Sequence, residues 1–494
     1  MNFVDNITRY AMHLPDKAAI VDGDRAISYT EMYSMVAEAE GRLLAEGLAE
    51  GDRVGLTLRD DVSHLVLYLA AARLGIATMP LHWRSSVDEI DRSAAETGLR
   101  LLVTDVAHKS PIAVPALSFE RRWLDTTAAA PNWSRAPAQD GDLMFTIAHS
   151  SGTTGRPVPA YLTHRMIASV NIRNVLNCGQ PANRRYLNVT PLSFISSRNY
   201  CLYHFLGGST VVLRPPWFST DELVEMVRDL EINSLFLVPT TIRALLDLPP
   251  QAGVLFPDLD ILTISAAETS AAEKRLIVDR ITPNIVELYG TSVVGCISAL
   301  QGFEIQTKAD SVGRPAMASD VEIVGAAGQT LAPGETGLIR CLAPRDPPNP
   351  NVERDTPTGQ PQPPEGWAWY YPGEVGYFDA EGYLYLKGRV SDIIIRGGVN
   401  IYPAEIEDVL RRHPAVREAA VVGKPDRALG EIVVAFVVGN DTVDATELRH
   451  FCRERLVADK VPAEIILVVD LPKTSVGKIR KRELAKRWDG RTNE

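Results

Sequence analysis

The spacing of apolar residues over the first hundred positions alternates between the periods of strands and helices. Residues 27–57 predict a short strand, a helix from Thr30 with apolar residues at helical spacing, and a second strand over 54–58. The pattern repeats as a helix over 62–74, a strand over 77–80, a helix over 87–97 and the strand LRLLVTD. Strands and helices that alternate with short Gly, Pro and Asp punctuation predict an α/β protein with mostly parallel sheets.

From residue 392 onward the pattern becomes that of a compact unit of about 100 residues. It contains predicted helices over 403–412 and 445–458 and the strands REAAVVG, EIVVAFVV and EIILVV. This mixture predicts a small α+β domain, so we expect one domain over 1–389 and a second over 392–494. The Pro-rich stretch 343–366 lacks periodicity and predicts a surface linker, with a lid over a site as the alternative.

Composition and charge narrow the class of protein. Of the 494 residues, 45% are hydrophobic and 23% are charged, and the formal net charge is −11. This acidity argues against binding to nucleic acid or anionic membranes, and no apolar run reaches the length of about 18 residues that spans a bilayer. A reducing compartment fits the five scattered cysteines, which include no CxxC pair. It also fits the N-terminal segment, which has no signal-peptide pattern. We therefore expect a cytoplasmic enzyme.

The segment HSSGTTGRP (149–157) follows an apolar strand over 143–148 and carries the first candidate chemistry. Its glycines allow a tight loop whose backbone N–H groups surround an anion, and its hydroxyl groups add donors. The loop has no Gly-Lys-Ser/Thr and so is not a Walker loop, and a solvated turn is the alternative. The candidate phosphate-binding residues are Ser150, Ser151, Gly152, Thr153, Thr154 and Gly155.

Two further segments lie in or beside the C-terminal unit. In GRVSDIIIRGGVNIYPAEIE (388–407), an Arg and a Gly pair flank a β-branched strand, which indicates either a bend between domains or a hairpin. In PKTSVGKIRKREL (472–484), Lys478 directly follows a Gly, so a turn there can project its ammonium group into a site. The alternative for this basic run is a solvated helix.

Together with YGTS (289–292) and YPGE (371–374), these segments resemble, in order and spacing, the adenylate-forming superfamily of acyl-CoA synthetases, nonribosomal adenylation domains and luciferases. The resemblance covers nearly the whole chain. It implies a large N-terminal part of stacked, mostly parallel α/β sheets plus a distorted β-barrel, followed by a small mobile C-terminal α+β domain. It also implies an ATP-dependent enzyme that forms an acyl-adenylate and then an acyl thioester, usually with CoA.

The resemblance further implies roles for individual residues. Lys478 matches the catalytic lysine that bridges the attacking carboxylate and the α-phosphate, and Ser391 stands at the hinge between domains. Gly397 and Gly398 match the glycines of the CoA tunnel. The matching nucleotide-binding positions are Tyr289, Gly290, Thr291, Ser292, Glu374 and Arg389, with Glu374 where the family usually has Asp. The matching acyl-pocket positions are Phe194, Arg198, Ala266, Val293 and Gly295.

Two departures from the family pattern bear on activity. The phosphate loop continues Pro157-Val158-Pro159 instead of Pro-Lys-Gly, which removes a cation near the phosphates. Val293 stands where a Glu usually binds Mg²⁺, so no metal ligand is assigned, and water or Glu268 are the candidates to compensate. A degenerate nucleotide- or acyl-binding paralogue is therefore kept as an alternative.

The segment TPLSFISSR (190–198) bears on the substrate. It has no acid after its aromatic residue, unlike amino-acid-activating relatives, so Phe194 and its neighbours favour an aromatic or medium-size organic acid. Arg198 has two interpretations: binding of a second carboxylate or polar substituent, or contact with solvent or a backbone carbonyl. The expected partners are a small carboxylic acid, ATP, Mg²⁺ and CoA. A carrier protein or amine is the alternative acceptor, and assembly into a homo-oligomer is left open.

Overall fold

The structure is a computed structural model that describes residues 2–106, 112–124, 140–150, 158–347, 349, 351–353, 362–440, 443–473 and 479–489. Its helices are α1 (Phe3–Thr8), α2 (Tyr10–His13), α3 (Tyr29–Ala45), α4 (Val62–Arg73), α5 (Val87–Thr97), α6 (His164–Cys178), α7 (Ile195–Leu206), α8 (Thr220–Asp229), α9 (Pro239–Leu246), α10 (Ala271–Arg280), α11 (Ile305–Lys308), α12 (Pro403–Arg411), α13 (Ala445–Arg453) and α14 (Lys481–Asp489). Short 3₁₀ helices lie at Arg121–Leu124, Gly302–Glu304, Val390–Asp392 and Ala458–Lys460.

The strands of the N-terminal part are β1 (Ala18–Asp22), β2 (Arg25–Ser28), β3 (Arg53–Thr57), β4 (Ala77–Pro80), β5 (Leu101–Thr104), β6 (Ala116–Ser118), β7 (Met144–Ser150), β8 (Val158–Thr163), β9 (Arg185–Asn188), β10 (Thr210–Leu213), β11 (Ser234–Leu237), β12 (Ile261–Ile264), β13 (Ile285–Thr291), β14 (Gly295–Gln301), β15 (Arg314–Pro315), β16 (Val321–Val324), β17 (Gly337–Pro344), β18 (Val352–Glu353), β19 (Trp367–Tyr370), β20 (Glu374–Phe378) and β21 (Leu384–Arg389). The C-terminal strands are β22 (Ile394–Arg396), β23 (Val399–Ile401), β24 (Val416–Asp426), β25 (Gly430–Gly439) and β26 (Glu464–Leu467).

Two mainly parallel sheets form most of the N-terminal part. One has nine strands in the order β15-β14-β13-β12-β11-β9-β10-β1-β2, and the other has six in the order β6-β5-β3-β4-β7-β8. Strands β10, β11 and β12 are buried at every position, as parallel strands covered on both faces are. The prediction of an α/β protein with mostly parallel sheets is therefore confirmed.

The residues at the N-termini of the helices explain why the local sequence predicted where these helices begin. Ser28 and Glu31 form a capping box at the start of α3, where each side chain bonds to the other residue's backbone N–H. Asp61 and Ser86 cap α4 and α5 through side-chain oxygens that accept backbone N–H groups. Each cap satisfies donors that a helix start otherwise leaves unpaired.

A third sheet is antiparallel, in the order β18-β19-β17-β20-β21 with β16 beside β17. Its hydrogen-bonded strand order is open over the residues that the structure describes, and the distorted barrel that the resemblance implies stays a prediction for this part. The C-terminal unit is separate, with the order β23-β22-β25-β24 and β26 parallel to β25. Helices α12 and α13 cover this sheet and share its own apolar core.

One predicted boundary is wrong. The helix expected over 445–458 ends as α13 at Arg453. The chain then turns so that Leu456, inside the predicted span, and Val461, beyond it, pack against the C-terminal core.

Two further properties of the described chain concern its helices and its cysteines. None of its helices combines the length and the apolar character needed to cross a bilayer. All five cysteines are buried as free thiols.

Candidate active site

The candidate residues of the N-terminal part gather at the carboxyl ends of strands in the nine-stranded sheet. Phe194 precedes α7 after β9, Ala266 follows β12, residues 289–291 end β13, and Ser292 lies in the turn that follows. The Ser265 hydroxyl donates to the carbonyl oxygen of Leu288 at 2.7 Å, which ties the loop after β12 to β13. Open α/β sheets bind ligands in the crevice at this edge.

The turn from β13 to β14 brings two backbone segments into close contact. A Cβ atom on Gly290 would lie 2.1 Å from the carbonyl oxygen of Gly295, so only glycine fits there. A Cβ atom on Gly295 would lie 2.8 Å from the side chain of Val170 on α6. Ala266 has a φ of 82°, a left-handed conformation that costs about 1–2 kcal/mol for a non-glycine residue. Such strain concentrates at functional sites.

A carboxylate, a phenol and a guanidinium meet where the nine-stranded sheet touches the antiparallel sheet. Glu374 and Arg389 are register partners on β20 and β21, and their Oε1 and Nε atoms lie 3.5 Å apart. The Tyr289 hydroxyl donates to Glu374 Oε2. Burial and the neighbouring Glu374 carboxylate raise the pKa of Tyr289 well above its usual value, so the phenol stays a neutral donor. A carboxylate offers about four acceptor sites, which leaves Glu374 able to accept hydroxyl groups of a ligand.

The residues after Tyr289 form a packed turn. The Thr291 side chain hydrogen-bonds to Tyr370, a residue whose pKa burial raises to about 12. Val294 N donates to Thr291 Oγ1 at 3.4 Å, and Ser292 lies within the same turn, half-buried. Val293 is 3% exposed and belongs to the apolar core. Over the described ranges no three His, Cys, Asp or Glu side chains lie close enough together to hold a metal ion. A Mg²⁺ ion bound mainly through the phosphates of a nucleotide needs only one or two protein carboxylates.

The phosphate loop and the candidate catalytic lysine lie mostly outside the described residues. This applies to residues 151–155 and to Lys478, and only the backbone of Ser150 is described. Ser150 pairs with Val158 across β7 and β8. Lys473 pairs with Ile479 in an isolated antiparallel bridge. The roles of the loop and of Lys478 stay predictions.

The described part of the Pro-rich stretch (343–366) lies beside β8, the strand that follows the phosphate loop. Asn349 Nδ2 donates to the carbonyl oxygen of Tyr161 at 2.9 Å, and Asn349 Oδ1 accepts the Tyr161 N–H at 2.6 Å. Tyr161 lies on β8, the strand that starts after the loop. This part is therefore a packed segment at the edge of the sheet, and residues 354–361 lie outside the described residues.

Arg198 is enclosed in the interior. It is 0% exposed, its Nη1 donates to the carbonyl oxygen of Leu192, and its guanidinium lies 5.0 Å from the ring centre of Tyr68. The first turn of α7 carries the side chain inward toward α4, which bears Tyr68. Of the two interpretations of Arg198, contact with a backbone carbonyl is the observed one. No part of its side chain is exposed, and its place in the acyl pocket stays a prediction.

The Gly pair forms the turn of the β22–β23 hairpin. Arg396 is paired with Val399, and Gly397 and Gly398 have φ values of 58° and 84°. A two-residue turn with positive φ at both positions strongly favours glycine. A Cβ atom on Gly398 would meet nothing within 4 Å, so this turn is open here and its role in a CoA tunnel stays a prediction. Ser391, the predicted hinge, is exposed in the 3₁₀ helix Val390–Asp392.

One ion pair connects the two parts of the chain and was not indicated by the sequence. Arg411 Nη2 on α12 lies 2.9 Å from Glu268 Oε1 in the loop after β12, across 143 positions of sequence. Arg411 also contacts Asp408 at 2.5 Å. Burial acts to raise the pKa of Glu268, but the Arg411 guanidinium outweighs it and holds that pKa below its usual value. Glu268 thus forms an ion pair in this structure, and its candidacy as a metal ligand stays a prediction.

Comparison with known proteins matches the chain over most of its length. The model of the AMP-binding enzyme family matches residues 7–343, and that of the AMP-binding enzyme C-terminal domain matches residues 405–478. The chain is 30% identical to indoleacetate–CoA ligase of Aromatoleum aromaticum, with 98% of both chains covered. It is 30% identical to 2-succinylbenzoate–CoA ligase of Bacillus licheniformis, with 95% of this chain and 97% of that one covered. The solved o-succinylbenzoate CoA synthetase of Bacillus subtilis, in complex with its acyl-adenylate intermediate, is 25% identical with a TM-score of 0.82, covering 98% of this chain and 97% of that one.

Proposed function

The chain belongs to the AMP-binding enzyme family and is an AMP-forming acid–CoA ligase that uses ATP, Mg²⁺ and CoA, and we propose that its acid is an aromatic or medium-size organic acid, with an aromatic ring favoured. The observation that carries this proposal is the apolar and closely packed surface around the β13–β14 turn.

That surface suits a flat ring. Phe194 is half-buried at the start of α7, and Val293 and Val294 are buried in the turn. Gly295 leaves no side chain between the turn and Val170. Apolar walls with few polar groups are typical of pockets for aromatic ligands. Ile195, directly after Phe194, offers no carboxylate to an α-amine, which disfavours an amino acid.

The names of the relatives support the same class. Indoleacetate and 2-succinylbenzoate both contain a benzene ring next to or near a carboxylate. Shared ancestry over nearly the full chain makes a related ring acid the favoured substrate of this enzyme.

In the proposed reaction the carboxylate of the acid attacks the α-phosphorus of ATP, and pyrophosphate leaves with the bonding electrons. The thiolate of CoA then attacks the acyl carbon, and AMP leaves. We assign to Lys478 the bridge between carboxylate and α-phosphate, and to Glu374 the acceptance of the ribose hydroxyls. When bound, Mg²⁺ neutralises part of the phosphate charge. Positive charge at the phosphates lowers the barrier because negative charge develops there in the transition state.

Product analysis tests this function. Purified protein with ATP, Mg²⁺, CoA and a mixture of benzoic, arylalkanoic and aliphatic acids is expected to release AMP and to yield aromatic acyl-CoA by mass spectrometry. Lys478→Ala is expected to slow AMP formation by about 100-fold or more, since an electrostatic contact to the reacting phosphate is lost. Lys460→Ala is the control, because Lys460 pairs with Glu405 at 2.7 Å within the C-terminal unit. Thioesters from none of the acids, or full activity in Lys478→Ala, would contradict the proposal, and thioesters from aliphatic acids alone would contradict its preference for an aromatic ring.

A further inference from the structure

The two stretches of chain on either side of Lys478 are joined to each other. Lys473 pairs with Ile479 in an isolated antiparallel bridge, and Arg480 N donates to the carbonyl oxygen of Pro472 at 2.8 Å. A contact that holds one stretch to the rest of the C-terminal unit therefore helps to hold the other. Such a contact also bears on where the candidate catalytic lysine between them is able to lie.

Glu407 on α12 holds the second of these stretches through an ion pair. Its Oε1 atom lies 2.6 Å from Lys481 Nζ at the start of α14, and it accepts the backbone N–H of Val421 at 2.6 Å. Val421 lies on β24, which ends the strand order of the C-terminal sheet, and an edge strand presents backbone groups that lack a strand partner. One carboxylate thus joins α12, β24 and α14.

The burial of the Glu407 carboxylate distinguishes this pair from another Glu–Lys pair on the same helix. The Glu407 side chain is 6% exposed, whereas that of Glu405, which pairs with Lys460 at 2.7 Å, is 32% exposed. Loss of one charge from a buried pair is much more disruptive than the same loss from a pair open to solvent. The two glutamates of α12 therefore offer a matched comparison.

Glu407 also lies one helical turn from the junction with the N-terminal part. Residues 407 and 411 are four positions apart on α12, so their side chains share one face of the helix, and Glu407 is an electrostatic neighbour of Arg411. Arg411 pairs with Glu268 in the loop after β12. Alternating charges therefore run from Glu268 through Arg411 and Glu407 to Lys481, three positions after Lys478.

We propose that Glu407 is a positioning residue for the first half-reaction, which holds Lys478 toward the attacking carboxylate and the α-phosphate through its ion pair with Lys481. This rests on the function proposed above, in which Lys478 acts while the acyl-adenylate forms. An ammonium group lowers that barrier only where negative charge develops, and a displacement of about 1 Å costs about 100-fold in rate. The CoA thiolate attacks after pyrophosphate has left, so thioester formation does not depend on this placement.

Separate assays of the two half-reactions test this inference. Pyrophosphate exchange measures adenylation of whichever acid, among benzoic, arylalkanoic and aliphatic acids, releases AMP fastest. Formation of acyl-CoA from the synthetic acyl-adenylate of that acid and CoA measures the second step. Glu407→Gln keeps the size of the side chain and an acceptor for the Val421 N–H, and it removes the charge. We expect it to lower kcat for adenylation by about 10-fold, with KM for the acid and for ATP and the rate of thioester formation unchanged.

Two further variants show whether the ion pair carries this effect. Lys481→Met is expected to slow adenylation as Glu407→Gln does, and the double variant is expected to lose no more than either single variant, because both remove the same contact. Glu405→Gln is the matched control and is expected to leave both half-reactions unchanged.

The outcomes separate this inference from the proposed function. Equal slowing of both half-reactions in Glu407→Gln, or an effect no larger than that of Glu405→Gln, overturns the inference and leaves the proposed function in place. If Glu407→Gln does not fold by thermal melting, Lys481→Met decides, because the Lys481 side chain is 22% exposed. Full adenylation in Lys478→Ala, or adenylation of none of the acids, overturns the proposed function and this inference with it.

Discussion

Two regions of the molecule are stabilised in different ways. The first is the proposed nucleotide site, termed the nucleotide corner and formed by Gly290, Gly295, Tyr289 and Glu374. The second is the junction between the two parts of the chain, formed by Glu268 and Arg411. In the nucleotide corner, backbone groups of β13 and β14 approach so closely that a single Cβ atom does not fit. At the junction, an ion pair joins two side chains of which Glu268 is 53% exposed.

The difference indicates which region is fixed and which is able to rearrange. Close backbone packing has no alternative arrangement of similar energy, because interiors are as dense as organic crystals. Arg411 is only 19% exposed, so this pair is partly exposed. An ion pair open to solvent on one side is worth about 1 kcal/mol and opens at much lower cost than a packed backbone. The predicted rotation of the C-terminal unit about Ser391 requires this combination of a rigid site and a weak junction.

The largest effect is expected for Gly290→Ala. The added Cβ atom would lie 2.1 Å from the Gly295 carbonyl oxygen, so the turn must open. Overpacking costs about 1–3 kcal/mol, and displacement of catalytic groups by about 1 Å slows chemistry by about 100-fold. Thermal melting measures the loss of stability, and pyrophosphate exchange measures the loss of adenylation rate. Gly41→Ala is the control, because a Cβ atom there meets nothing within 4 Å on α3 and alanine favours a helix. Equal melting temperatures and equal exchange rates of Gly290→Ala and Gly41→Ala would show that the corner is not rigid.

A smaller effect, confined to nucleotide binding, is expected for Glu374→Gln. Loss of the charged acceptor is expected to raise KM for ATP by about 10- to 100-fold. The pKa of Tyr289 is expected to fall, because the neighbouring carboxylate helps to raise it, and ultraviolet titration at alkaline pH measures this shift. Glu353→Gln is the matched control, since Glu353 accepts the Tyr371 hydroxyl at 3.3 Å in the same sheet. An unchanged KM in Glu374→Gln would remove Glu374 from the nucleotide site.

The sequence predicted this corner better than the junction, for physical reasons. Alternating periodicity and helix caps are local, so the parallel strands and their helices were predictable, and the resemblance supplied the order of the motifs. The direction of a buried side chain depends on contacts between distant elements. Arg198 follows Phe194 closely in sequence, yet it points toward Tyr68 and is enclosed.

Residues that the sequence did not single out depend on the same long-range contacts. Lys481 lies in a basic run for which a solvated helix was the alternative, and only its contact with Glu407 relates it to α12. The Glu268–Arg411 pair spans both domains, and no local pattern marks it. For the Gly397–Gly398 turn, the sequence left two alternatives, and the hairpin is the observed one.

The smallest effect is expected for Arg411→Gln. We expect a loss of stability below about 1 kcal/mol and a change of only a few-fold in the ratio of adenylation to thioester formation, because the junction is partly exposed. The lowered pKa of Glu268 means that its contribution is present above the unfolded value of about 4.3 and is lost as the pH falls through the lower folded value. Urea unfolding should therefore separate Arg411→Gln from the natural protein at pH 7, and the difference should shrink as the pH falls below about 4.3.

Arg412→Gln is the control for the junction, because Arg412 forms no ion pair with a described residue. The charge-swapped double variant Glu268→Arg with Arg411→Glu is expected to restore only part of the ratio of the two half-reactions. It re-forms the pair with the charges exchanged, but its new carboxylate at position 411 lies beside Asp408. A loss of adenylation as large as that of Gly290→Ala would show that the junction is as fixed as the nucleotide corner. The weak contact between the two parts would then be a rigid part of the site, and rotation about Ser391 would lose its structural basis.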